Sequence, residues 1–268
     1  MCLATVSHEM MAQKISSDCF KLYISQEQCA TIMGCKFKSL CTDTVLVPQS
    51  INYDNTWYRV IRIGEGAFSS CKQITNVVME KGIIELGAYS FYECERLKSI
   101  KLSASIESIG NDAFCACYQL ENVYIPCDVH TIGNNAFAYC RTIQDIILPA
   151  GTTYIGLSAF NSCASLSSIT FPDSLKSIGL CTCYNCHSLK TIVIGARTQS
   201  IEGNAFTLCK SIESVICKAT TPPRCHESSF NLSSISTAHL FVPAESIQKY
   251  KQTSPWNQFR TISEIEGR

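Results

Sequence analysis

The stretch "CTCYNCH", residues 181–187, concentrates the residue types that hold metals and haem. Cys183, Cys186 and His187 spell C-x-x-C-H, the spacing of a c-type haem attachment site, and Cys181 adds a further thiol. Other chemistry-bearing candidates are sparse. "HEMMA" at His8 lacks the second histidine of a zincin, and the remaining histidines are His130, His187, His226 and His239. Cys225–His226 is the one other Cys–His neighbour pair. No G-x-S-x-G elbow, phosphate-binding glycine loop or paired C-x-x-C zinc framework occurs.

The neighbours of the motif explain it. Cys71, Cys94, Cys117, Cys140, Cys163, Cys186 and Cys209 advance by 23 residues at every step. A fixed period of this size marks a stacked repeat, and it takes precedence over any short motif inside it. With Ile63 as the first position, the first column is Ile63, Leu86, Ile109, Ile132, Ile155, Ile178 and Ile201. Glycine follows from Gly64 to Gly179, with Glu202 as the exception. The sixth column is Phe68, Phe91, Phe114, Phe137, Phe160, Cys183 and Phe206; the ninth is the cysteine ladder. Cys186 is therefore the ladder cysteine of its unit, Cys183 replaces a phenylalanine, and His187 falls in a variable column. The reading that follows is a buried, small, polarisable residue in place of Phe, not haem attachment or a metal site. Losing a ring from a core costs about 3–5 kcal/mol when nothing replaces it, so a local packing deficit is expected, with Cys181 or a neighbour refilling part of it.

Each unit is too short to bury its own apolar residues, and stacking solves this by letting each coil cover the next. Segments such as "LKSIKL" and "LKTIVI" read as short β-strands with alternate residues inward, pairing in parallel at about 4.8 Å. The glycine column permits a turn. "AFxxC" is expected to form a tight helical turn with Phe and Cys inward. Pro126, Pro149 and Pro172 end strands.

On these residues the repeat "IGxxAFxxCxxLxxIxIPxxVxx" resembles that of the BspA-like leucine-rich repeat proteins, over seven units. The fold expected is a repeat solenoid: a leucine-rich-repeat right-handed superhelix with parallel β-strands, short helical turns, and N- and C-terminal caps. Residues 1–18 are a signal-peptide remnant or a disordered start, 19–62 an N-terminal cap and opening coil, 63–221 the seven repeats, and 222–268 a C-terminal cap. In the caps, "FKLYI", "CATIMG" and "HLFV" read as strands, and Ala244 to about Gln252 as a helix with Ile247 and Tyr250 on one face. Trp256 and Phe259 close the end of the core.

Composition narrows the function. The chain has 268 residues, 46% of them apolar, and no net charge. That argues against a nucleic-acid partner, and no apolar run is long enough for a transmembrane helix. Of the 18 cysteines, those outside the ladder are Cys2, Cys19, Cys29, Cys35, Cys41, Cys115, Cys127, Cys181, Cys183, Cys217 and Cys225. Five fall in the N-terminal region, where a cap disulfide is an open alternative. "MCLATVSHEMMAQ" reads as the tail of an export signal, with a disordered start as the alternative and lipidation of Cys2 as a minor one.

A solenoid offers an extended binding surface. The outward sixteenth column is Val78, Lys101, Tyr124, Ile147, Thr170, Val193 and Ile216, unusually apolar for a solvent-facing strip. Beside it runs the small, polar fourteenth column from Asn76 to Ser214. Lys101, Tyr124, Ile147, Thr170 and Val193 are the candidate binding residues on the concave face, Tyr124 foremost, because tyrosine gives rigid contact area with a polar tip. The alternative, stacking of β-branched residues along a parallel sheet, explains the strip without a ligand and is the simpler reading. No catalytic, cofactor or metal residues are assigned. The expected function is a non-enzymatic interaction module, a surface or secreted adhesin that binds an extracellular protein or glycan. The surface location and the adhesive role are implied by the resemblance. The alternatives are a structural spacer and a thiol-based redox or metal protein.

Overall fold

The protein is described here from a computed structural model, which covers residues 20–25, 27–35 and 43–266. The expected signal remnant, Cys2, Cys19 and Cys41 lie outside the described residues.

The repeats form a parallel β-solenoid. Each coil contributes one strand from the L-x-x-I-x-I segment, as in Ser99–Lys101, Ser168–Thr170 and Thr191–Ile194. Equivalent residues pair across coils in register: Ser168 with Thr191, Ile169 with Ile192, Thr170 with Val193. The inward Ile, Leu, Phe and Cys columns merge into one continuous core from Phe20 to Phe259.

Three local expectations are corrected by the structure. First, the segment before the glycine, read from the sequence only as the approach to a turn, is itself a second strand. Glu85–Leu86, Ser108–Ile109, Thr131–Ile132 and Tyr154–Ile155 pair in parallel on a different side of the coil. Second, the glycine column serves close approach. A Cβ on Gly87, Gly110, Gly133 or Gly156 would stand 2.4–2.7 Å from a backbone nitrogen of the preceding coil, closer than any side chain tolerates. The left-handed conformation falls two residues later instead, at Tyr89, Asp112, Asn135, Ser158, Cys181 and Asn204.

Third, "AFxxC" is not helical. A second left-handed residue follows in each coil, such as Glu93, Ala116 and Tyr139, and a right-handed helix cannot continue through it. The N–H groups here alternate. Cys117 donates back to Phe114 O within its coil, while Phe114 donates to Ala136 O in the next. Every second backbone donor thereby ties neighbouring coils together. The phenylalanines stack nearly parallel, with ring centroids 5.1–5.7 Å apart from Phe68 through Phe160.

Cys183 breaks that stack, and of the two sources expected, Cys181 or a neighbour, it is a neighbour that compensates. Cys181 is only partly buried. Phe171, fully buried at the end of the preceding coil's strand, reaches past the level of Cys183 to Phe206, edge-on at 6.1 Å.

The ends are closed as expected in outline. At the N-terminal side Phe20–Ile24 pairs antiparallel with Cys29–Cys35, which pairs in parallel with Thr56–Ile63. Cys29 and Cys35 sit at opposite ends of one strand, about 20 Å apart, so a bridge between them is excluded. At the C-terminal side His239–Val242 and then Thr261–Glu264 extend the strand sheet. A 3-10 turn, Ala244–Ser246, leads into helix α1, Ile247–Gln252. Tyr250 is fully buried, and its hydroxyl donates to Ala219 O at 2.7 Å. The buried Trp256 indole donates to Pro223 O at 2.9 Å. Both aromatic residues are thereby closed over the last coil with their polar atoms satisfied.

Neither sheet is continuous. The strand sheet is interrupted between Asn122–Val123 and Asp145–Ile147, and the short-strand ladder between Tyr154–Ile155 and Ser177–Ile178.

Candidate binding face

The sixteenth column lies on the outward side of the strand sheet because its neighbours, such as Ile146 and Leu148, point into the core. Tyr124 is 76% exposed and Ile147 78% exposed, the two largest apolar exposures in the column. Lys101 and Thr170 are also exposed; Val78, Val193 and Ile216 are half-buried. Tyr124 and Ile147 flank the interruption of the sheet, where the regular bond from the fourth coil to Glu121 O is missing.

The structure divides the sequence-derived candidates. A groove of about 710 Å³ runs beside the N-terminal half of the strip. Lys101 and Tyr124 line it together with Leu46, Val78, Leu102 and Pro126. Ile147, Thr170 and Val193 lie outside it, along the continuing strip. Sequence reasoning missed Leu46, which belongs to the opening strand Thr44–Val47 and pairs opposite Val78. It also missed the loop residues Glu80 and Lys81. Glu80 is held in place by the Gln49 N–H, which donates to its Oε2 at 2.8 Å. The missed signal is the "TVLV" segment, which repeats the alternation of the later strands without the rest of the repeat consensus. An apolar floor, one aromatic wall and a charged rim can hold a ligand by contact area and a few polar bonds.

The cysteine-rich motif assembles no site. Cys183 and Cys186 are fully buried, whereas His187 is on the surface. The Cys186 thiol donates to Phe160 O at 3.1 Å, and the same bond recurs along the ladder, from Cys94 to Phe68 O through Cys209 to Cys183 O. From Cys94 to Cys186, each thiol thus occupies the second lone pair of a carbonyl that already accepts a backbone N–H. Burial pushes the thiols of Cys117, Cys140, Cys163, Cys183 and Cys209 well above the ordinary range. Buried, protonated thiols are poor nucleophiles and poor ligands. Cys225 is likewise pushed up by burial, to about 12, while His226 turns to Ser228. Among the described residues, no three His, Cys, Asp or Glu side chains converge into a metal-holding group, and no helix is long and apolar enough to cross a membrane.

Comparison with known proteins agrees with this geometry. The family model of the BspA type leucine rich repeat region matches residues 49–166 and 130–253. A leucine-rich repeat protein from Bacteroides ovatus aligns over 94% of this chain and 76% of its own, at 20% identity and a TM-score of 0.68. One from T. pallidum aligns over 74% and 90%, at 22% identity and a TM-score of 0.67. A leucine rich cell surface protein from Faecalibacterium prausnitzii aligns over 95% of both chains, at 17% identity and a TM-score of 0.59. At these identities the likeness is one of fold. No curated protein matches the chain.

Proposed function

Because the chain belongs to the BspA-type leucine-rich repeat family, we propose that it is a non-catalytic interaction module that binds an extracellular protein or glycan through the strand face. The observation that carries this reading is the groove itself: Tyr124, 76% exposed, stands over a 710 Å³ concavity with Lys101, Leu46 and Val78. A tyrosine explained only by sheet stacking would have no concavity beside it. The exposed Ile147 and Thr170 extend the contact surface beyond the groove. A cell-surface or secreted location fits this role, and it is supported by the cell surface protein from Faecalibacterium prausnitzii that shares the fold.

The test is a binding screen of the purified chain against extracellular proteins and glycans, repeated with Tyr124→Ala. Loss of a discovered ligand with Tyr124→Ala supports the strand face. Ligands whose binding survives substitution of Lys101, Tyr124, Ile147, Thr170 and Val193 would relocate the site. An array that binds nothing would favour the spacer reading.

A further inference from the structure

Four coils each place one outward residue beside the strand-face groove, and pairing in register lines them up. Leu46 pairs opposite Val78, and Val78 opposite Lys101. Tyr124 follows Val123, which pairs opposite Ile100. At about 4.8 Å per coil the row spans about 14 Å, with Lys101 between an aliphatic end and an aromatic one. Glu80 and Lys81 line the groove from the loop that follows Asn76–Met79.

The polar groups around this row divide into committed and uncommitted ones. Those beside it bond to one another: Ser99 Oγ donates to Asn76 Oδ1 at 2.7 Å, Asn76 Nδ2 to Thr75 Oγ1 at 2.9 Å, and Thr75 Oγ1 to Asp43 O at 2.7 Å. The one carboxylate of the lining, Glu80, accepts the Gln49 N–H. Among the described residues, the ammonium groups of Lys81 and Lys101 and the hydroxyl of Tyr124 have no hydrogen bond, and neither lysine pairs with a carboxylate. Lys72 and Lys190, by contrast, pair with Glu95 and Glu213 at 2.9 and 3.0 Å. Two exposed cations and a phenol thus surround an aliphatic floor.

Taking the strand-face reading as its basis, we propose that the groove's partner is an extended protein segment in which an apolar side chain is followed two residues later by a carboxylate. The uncommitted groups select an anionic acceptor, because charge-assisted hydrogen bonds are about twice as strong as neutral ones. The floor of Leu46, Val78 and Pro126 selects an apolar side chain. In an extended segment, side chains on one face stand about 6.6–6.8 Å apart. From the midpoint of Leu46 and Val78 to Lys101 is about 7 Å at the same coil spacing, so one segment serves both. A neutral glycan would bring hydroxyls to a floor whose polar neighbours are already committed. A free acyl chain would stay in water, because the groove is open at Tyr124, which is 76% exposed.

The probe is the capped hexapeptide Leu-Thr-Glu-Leu-Thr-Glu, compared by titration calorimetry with a copy that carries Gln for both Glu. The Glu peptide should bind saturably, at least about tenfold tighter than the Gln copy at low ionic strength, and added salt should narrow the gap. Lys81→Gln combined with Lys101→Gln should remove the preference and leave the unfolding midpoint unchanged, because both side chains are exposed. Lys176→Gln, outside the groove, should keep the preference. Tyr124→Ala should weaken both peptides. Absence of saturable binding, equal affinity for the two peptides, or a preference that survives the double lysine substitution would overturn the proposal. A heparin-derived oligosaccharide that displaces the peptide, and depends on the lysines but not on Tyr124, would overturn it in favour of an anionic glycan. Failure of this proposal alone leaves Tyr124→Ala still weakening the ligands of the binding screen. Failure of the strand-face reading leaves those ligands bound to Tyr124→Ala.

Discussion

Phe171 lies edge-on to Phe206, their ring centroids 6.1 Å apart and their planes at 73°. Phe171 belongs to the coil that starts at Ile155 and Phe206 to the one that starts at Ile201. The contact therefore spans the intervening coil at the level of Cys183, the position that lacks the column's phenylalanine. Phe171, from the inward strand column, fills the core at the level where the phenylalanine column has Cys183.

Phe171→Leu and Cys183→Phe should each destabilise the protein. The first opens a cavity, and the second overpacks the site by about 1–3 kcal/mol. Together they should recover more than about 1 kcal/mol relative to the sum of the single effects. Urea denaturation of the four proteins measures this; simple additivity would mean that the two rings do not compete for one space.

Tyr124→Ala should cost a strand-face ligand more than about 1 kcal/mol of affinity. Its effect on the unfolding midpoint should be within about 0.5 kcal/mol, because the side chain is mostly in solvent. Titration calorimetry and thermal melts give the two numbers.

In native protein, Cys127, which is exposed, should react with a maleimide quickly, while Cys117, Cys140, Cys163 and Cys209 should react only after denaturation. Raising the pH from 7 to 9 should leave Cys117, Cys140, Cys163 and Cys209 silent, since burial keeps those thiols protonated. Peptide mapping reads each site. Isolation of a Cys94–Cys117 or Cys140–Cys163 disulfide from native protein would refute the packing role.

Stability should fall in alkali. Burial raises the folded pKa values of Cys117, Cys140, Cys163 and Cys209 above the ordinary 9.0, so the folded state holds protons that the unfolded chain releases first. Their contribution is complete below about pH 8 and declines as pH rises through the unfolded value, by up to about 1.4 kcal/mol per pH unit for each thiol. Denaturation midpoints between pH 7 and 10.5 test this. A flat profile would mean that the thiols ionise alike in both states.

The sequence by itself determined the solenoid, its register and its inward columns. A 23-residue period repeated in seven copies leaves only stacking as a way to bury Ile, Phe and Cys together. It also removed the apparent haem motif, because Cys186 and Cys183 have assigned places in the columns. The period cannot report how one coil differs in spacing from the next. The second strand, the left-handed residues at Tyr89 and Glu93, and the close approach at the glycine column come from hydrogen bonds between coils, which a repeat consensus does not encode. The same holds for function. Lys101 and Tyr124 were legible as an outward column, but Leu46 joined them only when the opening strand paired with Asn76–Met79. The interruption of the short-strand ladder between Tyr154–Ile155 and Ser177–Ile178 was not legible at all. Only tertiary structure decides such junctions, because they depend on small offsets between coils that every column tolerates.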